Sequence, residues 1–454
     1  MPETLMVSRR TPDRRVLNAA GAIALAGIVV KLMATGKESM LAALYGRSDA
    51  MDAFLAAFLI PNLLINVIAE SMNQALIPTL IREQLREGRE RAQELLSSST
   101  AVLCALLTGT TVVMAVAARV FFPLIASNFA QPKLELSIHL FYLLLPCVLL
   151  GGIASNCTAV LNAAGRFTFP ALAPAVIPLT IMAGTLAFRG SLGIWALAWA
   201  TVLGMAIHAG WMIASMRPSG YGFSLRWHGW TEPAREVAGQ YGPSILAAVV
   251  ASSGLLVDQA MAAMLSAGSV SALVFAGRFV SVAVNLLAGA ISSALAPHLS
   301  ELAALHDWHA CRAALRLWAG RAALVSTAVA VALIAGSRLL VRLVLQHGVF
   351  SHADSRIVSW VLVMYALQIP FFVVSRVPYR LIVALRRTDL VFYCGGINLA
   401  LDIVLNLVLM RWMGVAGIAL ATSLWCVSTC AFLWFWASRL LNDAQRAQSR
   451  EAGA

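Results

Sequence analysis

The chain has 454 residues, of which 60% are hydrophobic and 12% charged, and its mean hydropathy is +0.80. A soluble domain carries about 25% charged residues, so composition excludes a water-soluble enzyme and predicts an all-α polytopic membrane protein. The formal net charge of +12 does not point to nucleic acid, because the basic residues sit in the short loops that set membrane topology.

In chain order, the apolar runs predict twelve helices, at 15–36, 50–80, 95–124, 134–161, 168–188, 191–215, 237–265, 271–300, 315–346, 352–384, 389–410 and 413–438. Most exceed the roughly 20 residues a spanning helix needs. The first run follows Arg9, Arg10, Arg14 and Arg15 and has no small-residue cleavage site ahead of a soluble domain, so it reads as a span and not as a signal peptide. Twenty of the 33 Lys and Arg fall on the side of the termini and seven on the other, which places both termini in the cytoplasm. The seven cysteines lie almost all in apolar runs without metal-ligand spacing and read as packing residues.

The sequence repeats itself. SDAMDAF at 48–54 returns as AGSVSAL at 267–273, ALIPTL at 75–80 as ALAPHL at 294–299, LNAAGR at 161–166 as IVALRR at 382–387, and GIWALAWAT at 193–201 as GVAGIALAT at 414–422. The offsets, 219 to 221 residues, divide the chain into two six-helix lobes. Six is even, so both lobes enter the membrane from the same side, as parallel repeats related by an axis along the membrane normal. The expected organisation is an N-lobe at 1–216, a linker at 217–236 that Trp227 and Trp230 can anchor at the membrane interface, a C-lobe at 237–438 and a cytoplasmic tail at 439–454.

Helix 2 is unusually polar. It carries Asp52, Pro61, Asn62, Asn66, Glu70, Asn73 and Gln74 before Pro78. Polar groups in hydrocarbon are expensive and normally face a protein interior or a water-filled cavity, so this helix reads as the wall of a transport cavity. Lys31 and Lys37 on helix 1 and Arg278 inside helix 8 supply positive charge, and an arginine fork matches phosphate oxygens. These cations favour an anionic, phosphate-bearing substrate; pairing of Arg278 with Asp52 or Glu70 is the structural alternative. Asp258 on helix 7, Asn398 and Asp402 on helix 11 and Thr422 on helix 12 form an oxygen-rich set suited to a small cation, unless each acid pairs singly with an arginine such as Arg376 or hydrogen-bonds within the bundle. No nucleophile–base pair, phosphate-cradling glycine loop or zinc spacing marks an enzyme, and no cofactor is expected beyond sodium or a proton as coupling ion.

The run at 45–80, YGRSDAMDAFLAAFLIPNLLINVIAESMNQALIPTL, closely resembles the second-helix signature of the MurJ/MviN lipid II flippases, at Asp52-Ala53-Phe54, Pro61-Asn62-Leu63-Leu64, Ala69-Glu70 and Gln74 to Pro78. LNAAGRFTFPALAP at 161–174, the GPS and SAGSVS segments within 242–271, and Arg278 followed by APHLS at 296–300 extend the resemblance to both lobes. It implies a MOP exporter fold that moves an undecaprenyl-pyrophosphate-linked glycan precursor, lipid II first, to the outer leaflet of the bacterial inner membrane. It also implies a pyrophosphate grip by Lys31, Lys37 and Arg278, with Glu38 as the helix 1 acid, and a sodium site between helices 7, 11 and 12. A monomer working on a lipid-linked glycan within the bilayer is expected. Two departures stand out. Ile65-Asn66 occupies a usually basic pair, and the sequence ends at Ala454 where many members continue into two more helices, so another path for the lipid tail is expected. The alternatives are another polyprenyl-linked polysaccharide unit, or a multidrug or cation antiporter of the same superfamily, for which the cavity should be acidic.

Overall fold

The computed structural model describes residues 14–126, 128–385 and 387–452. Twelve long helical segments follow one another: α1 Arg14–Tyr45, α2 Asp49–Arg86, α3 Arg89–Ile125, α4 Gln131–Leu144 continued as Pro146–Ala163, α5 Thr168–Leu192, α6 Ile194–Met216, α7 Glu232–Ala263, α8 Ser269–Ala304, α9 Trp308–Leu345, α10 His352–Ala384, α11 Thr388–Met413 and α12 Val415–Ala452. Among the described residues, eleven helices are long and apolar enough to cross a membrane. The expected all-α organisation with many apolar helices is therefore present. Most of the helices run past the expected apolar boundaries, because hydropathy marks the hydrocarbon-facing part of a helix and not its polar ends.

The repeat inferred from sequence has a backbone counterpart. Gly46 before α2 and Gly268 before α8 turn with φ of 56° and 79°, and Gly193 before α6 and Gly414 before α12 with 56° and 59°. Positive φ is a conformation that glycine adopts without the Cβ penalty. The fourth helix of each half also breaks at matching places, at Leu145 and at Leu367.

Compactness divides the chain in another way. One unit comprises residues up to Lys37, Leu64–Val112 and Leu143–Ser244; the other comprises Glu38–Leu63, Val113–Tyr142 and Ile245 onward. The chain thus passes between units in mid-helix, within α1, α2, α3, α4 and α7.

In the first unit the Gly151-Gly152 pair lets α4 close on its neighbours. A Cβ on Gly151 would sit 2.6 Å from Ile65 Cδ1 of α2, and one on Gly152 would strike Leu107 of α3. Small residues at such contacts let membrane helices approach closely. The segment after α6 is strapped to the α2–α3 corner. Tyr221 is buried beneath Arg89 and donates to Gln84 Oε1 at 2.8 Å, while Gly222 exchanges two hydrogen bonds with Gln93. Burial raises the Tyr221 phenol pKa against the opposing pull of Arg89, so its hydroxyl stays a donor. Trp227 and Trp230 pack edge to face and remain exposed.

Candidate functional site

Helix α2 is not a uniform helix. Pro61 lies inside its first part, and residues Ile65–Ala69 form a π-helical turn. A proline lacks the N–H that would bond the carbonyl one turn back, and π turns recur at functional sites. The Tyr241 hydroxyl of α7 donates to the Ile68 carbonyl at 3.0 Å, so a side chain meets a backbone group in the irregular turn. The boundary between the two compact units in α2 falls between Leu63 and Leu64, directly before this turn. Ile65 and Asn66, the pair that departs from the family pattern, lie in the turn itself. Tyr241→Phe strands this carbonyl at a cost of about 1 kcal/mol, and the melting temperature should fall by about 2 °C; an unchanged value would mean that the hydroxyl does not hold the turn.

Asp52 is not a cavity residue. It is 1% exposed, and both its oxygens meet donors of its own unit. Its Oδ2 accepts from the backbone N–H of Gly268 at 2.7 Å and from Lys133 Nζ at 3.0 Å, and its Oδ1 accepts from the Ser271 N–H at 2.9 Å. A carboxylate at a helix N-terminus meets unsatisfied N–H groups and the positive end of the macrodipole. Asp52 thereby ties the start of α2 to the start of α8 and, through Lys133, to the start of α4. Arg47 reinforces the same place, donating to the Gly268 carbonyl at 2.8 Å and pairing with Asp354 at 3.1 Å. Sequence reasoning placed Lys133 in a loop and missed this role.

Arg278 pairs with Glu38, at 3.4 Å, and not with Asp52, whose carboxylate is held by Gly268, Ser271 and Lys133. The Glu38 side chain is 12% exposed and that of Arg278 is 62% exposed, so the guanidinium is held by one edge and presented by the other. Lys31 and Lys37 are half-buried on α1, and Asn62 is half-buried beside Pro61. The Glu70 side chain lies outside the described residues.

The acids of the C-terminal half do come together. The Asp258 carboxylate accepts from Asn406 Nδ2 at 2.8 Å and from Thr422 Oγ1 at 3.0 Å, and Asp402 Oδ1 accepts from the same amide at 3.3 Å. Asn398 is not in this cluster; its amide donates to Thr429 Oγ1 at 2.7 Å. Asn398 and Asn406 stand four residues to either side of Asp402, and both positions share its helix face, so spacing alone did not choose between them. Asp402 Oδ2 and Asn406 Oδ1 are buried without a donor. Orphaned acceptors are costly in a membrane interior. Four oxygen-bearing side chains, two of them acids, with two oxygens still unmet fit a small hard cation. Asp258, Asp402, Asn406 and Thr422 would hold it, and it would supply the positive charge that the two carboxylates lack.

A profile described as "Lipid II flippase MurJ" matches residues 41–448. A probable lipid II flippase MurJ of Buchnera aphidicola from Acyrthosiphon pisum is 23% identical over 416 residues, covering 88% of this chain and 80% of that protein. One from Synechocystis is 24% identical over 453 residues, covering 94% and 83%. Among solved structures, a lipid II flippase MurJ in an inward closed conformation superposes with a TM-score of 0.79 at 22% identity, over 92% of this chain and 87% of that one. An inward-facing multidrug resistance transporter of the MATE family and MOP superfamily gives 0.77 at 12% identity, over 92% and 95%. At these identities the structural matches speak for the fold.

Proposed function

The chain belongs to the lipid II flippase MurJ family, and on that premise we propose that it moves lipid II, an undecaprenyl-pyrophosphate-linked glycan precursor, from the cytoplasmic to the outer leaflet of the bacterial inner membrane by alternating access. The observation that carries this reading is the Arg278–Glu38 pair. A pyrophosphate cannot enter a hydrocarbon layer uncompensated. An exposed guanidinium within a spanning helix offers it a bidentate counter-charge, and Glu38 occupies that counter-charge when no substrate is bound. A multidrug or cation antiporter would need acidic groups presented in place of Arg278, so this guanidinium favours a pyrophosphate.

Transport also needs a face that opens and shuts. In this reading the Asp52 tie to α8 shuts the outer face, and the π turn of α2 is where the helix bends when that tie is released. The distribution of Lys and Arg supports cytoplasmic termini, which puts the Asp52 end outside. The Asp258–Asp402 cluster supports coupling to a monovalent cation, whose crossing of a 100 mV potential is worth about 2.3 kcal/mol. The test is reconstitution into vesicles with lipid II, scoring the fraction that reaches the far leaflet. Movement of lipid II is expected. Movement of another polyprenyl-linked glycan but not of lipid II would favour the second reading, a polysaccharide-unit flippase.

A further inference from the structure

The second unit contains a cavity of about 590 Å³ between α7, α10, α11 and α12. Two opposite charges line it. Arg376 of α10 lies with its guanidinium carbon 4.0 Å from the ring centre of Phe372 and 5.6 Å from that of Tyr379. Its Nε is buried with no hydrogen-bond partner, and among the described residues it makes no ion pair. Asp402 of α11 lines the same cavity, and its Oδ2 has no donor either. That oxygen faces α7, where a Cβ on Gly254 would lie 3.7 Å from it.

An unpaired cation and an unpaired carboxylate within spanning helices are each expensive. Their presence in one cavity, unpaired with each other, is explained if each serves as a counter-charge in a different state. Cation–π stacking is a modest attraction, enough to park a guanidinium but not to match a carboxylate. Arginine also has a long, rotatable stem that can redirect its fork.

We propose that Arg376 is a tethered counter-charge for Asp402. It turns onto the carboxylate when the Asp258–Asp402–Asn406–Thr422 cluster holds no cation, and a monovalent cation entering through this cavity displaces it onto the Phe372–Tyr379 stack. The arrangement described is then the parked state. This inference rests on the cation reading of the cluster given above, and extends it by naming the residue that competes with the ion and the cavity through which the ion arrives.

The test is sodium-dependent thermal stabilisation of the purified full-length chain, with N-methylglucamine chloride keeping ionic strength constant. Arg376→Gln removes the competitor, and the sodium concentration giving half-maximal stabilisation should fall about tenfold, as expected for loss of one positive charge from a poorly screened interior. Phe372→Ala removes the parking place and should raise that concentration, an opposite shift that a merely packing role of either residue would not produce. Arg376→Lys keeps the charge and should stay near wild type. Asp402→Asn should abolish the response in every background. An Arg376→Gln midpoint equal to that of wild type, with Asp402→Asn still abolishing the response, overturns the tethered-charge proposal and leaves the cation site standing. Sodium without effect on any of the proteins overturns both.

Discussion

Asp52→Ala should cost about 3–5 kcal/mol, the usual penalty for stripping one partner from a buried ion pair. The reason is geometric. The carboxylate meets two backbone N–H groups at the start of α8 and the Lys133 ammonium, which is itself 9% exposed. Its removal leaves a buried cation without its nearer-buried partner and two orphan donors together. Asp49 also reaches Lys133, at 2.7 Å, but its side chain is 63% exposed, and a solvated pair contributes little. The loss should show as a lower melting temperature and as greater labelling of a cysteine placed at Ser271. Lys133→Met in the same chain should restore part of the stability, because it removes the stranded charge. A double-mutant cycle with no coupling between Asp52 and Lys133 would show that the pair does not hold this end together.

Arg278→Ala should lower transport about 100-fold while leaving the protein at normal levels in the membrane. The magnitude follows from the 2–5 kcal/mol typical of truncating one member of a hydrogen-bonded charge pair at a binding site. Stability should change little, since the guanidinium is 62% exposed and exposed ion pairs are weak. Arg278→Lys should retain part of the activity, as a point charge without the fork. Glu38→Gln should leave the guanidinium available and tighten substrate binding. Unchanged transport by Arg278→Ala would remove the pyrophosphate grip from this helix.

The fold was largely legible because a spanning helix writes itself into hydropathy. The internal repeat was legible because short loops and their glycines fix corresponding turns, as Gly193 and Gly414, 221 residues apart, show. The site was legible only in its ingredients. Asp52, Arg278, Asp258 and Asp402 are visible as charges out of place in apolar runs, but their partners depend on which helices pack together. Glu38, on another helix, meets Arg278; Lys133, far along the chain, meets Asp52; and Asn406 displaces Asn398 beside Asp402. For Asn398 and Asn406 the spacing along one helix was satisfied twice, and for Glu38 and Lys133 no spacing applied; in each case contact with another helix made the choice. The π turn at Ile65–Ala69 carried no periodicity signal at all. Its nearest sequence mark was Pro61, one turn earlier.

The most direct test of lipid II transport is complementation. The chain is expressed in cells depleted of their own lipid II flippase, and growth is followed together with lipid II in the outer leaflet. The proposed function requires that wild type restore both and that Arg278→Ala, at equal membrane levels, restore neither. Normal membrane expression without any rise in outer-leaflet lipid II would contradict it.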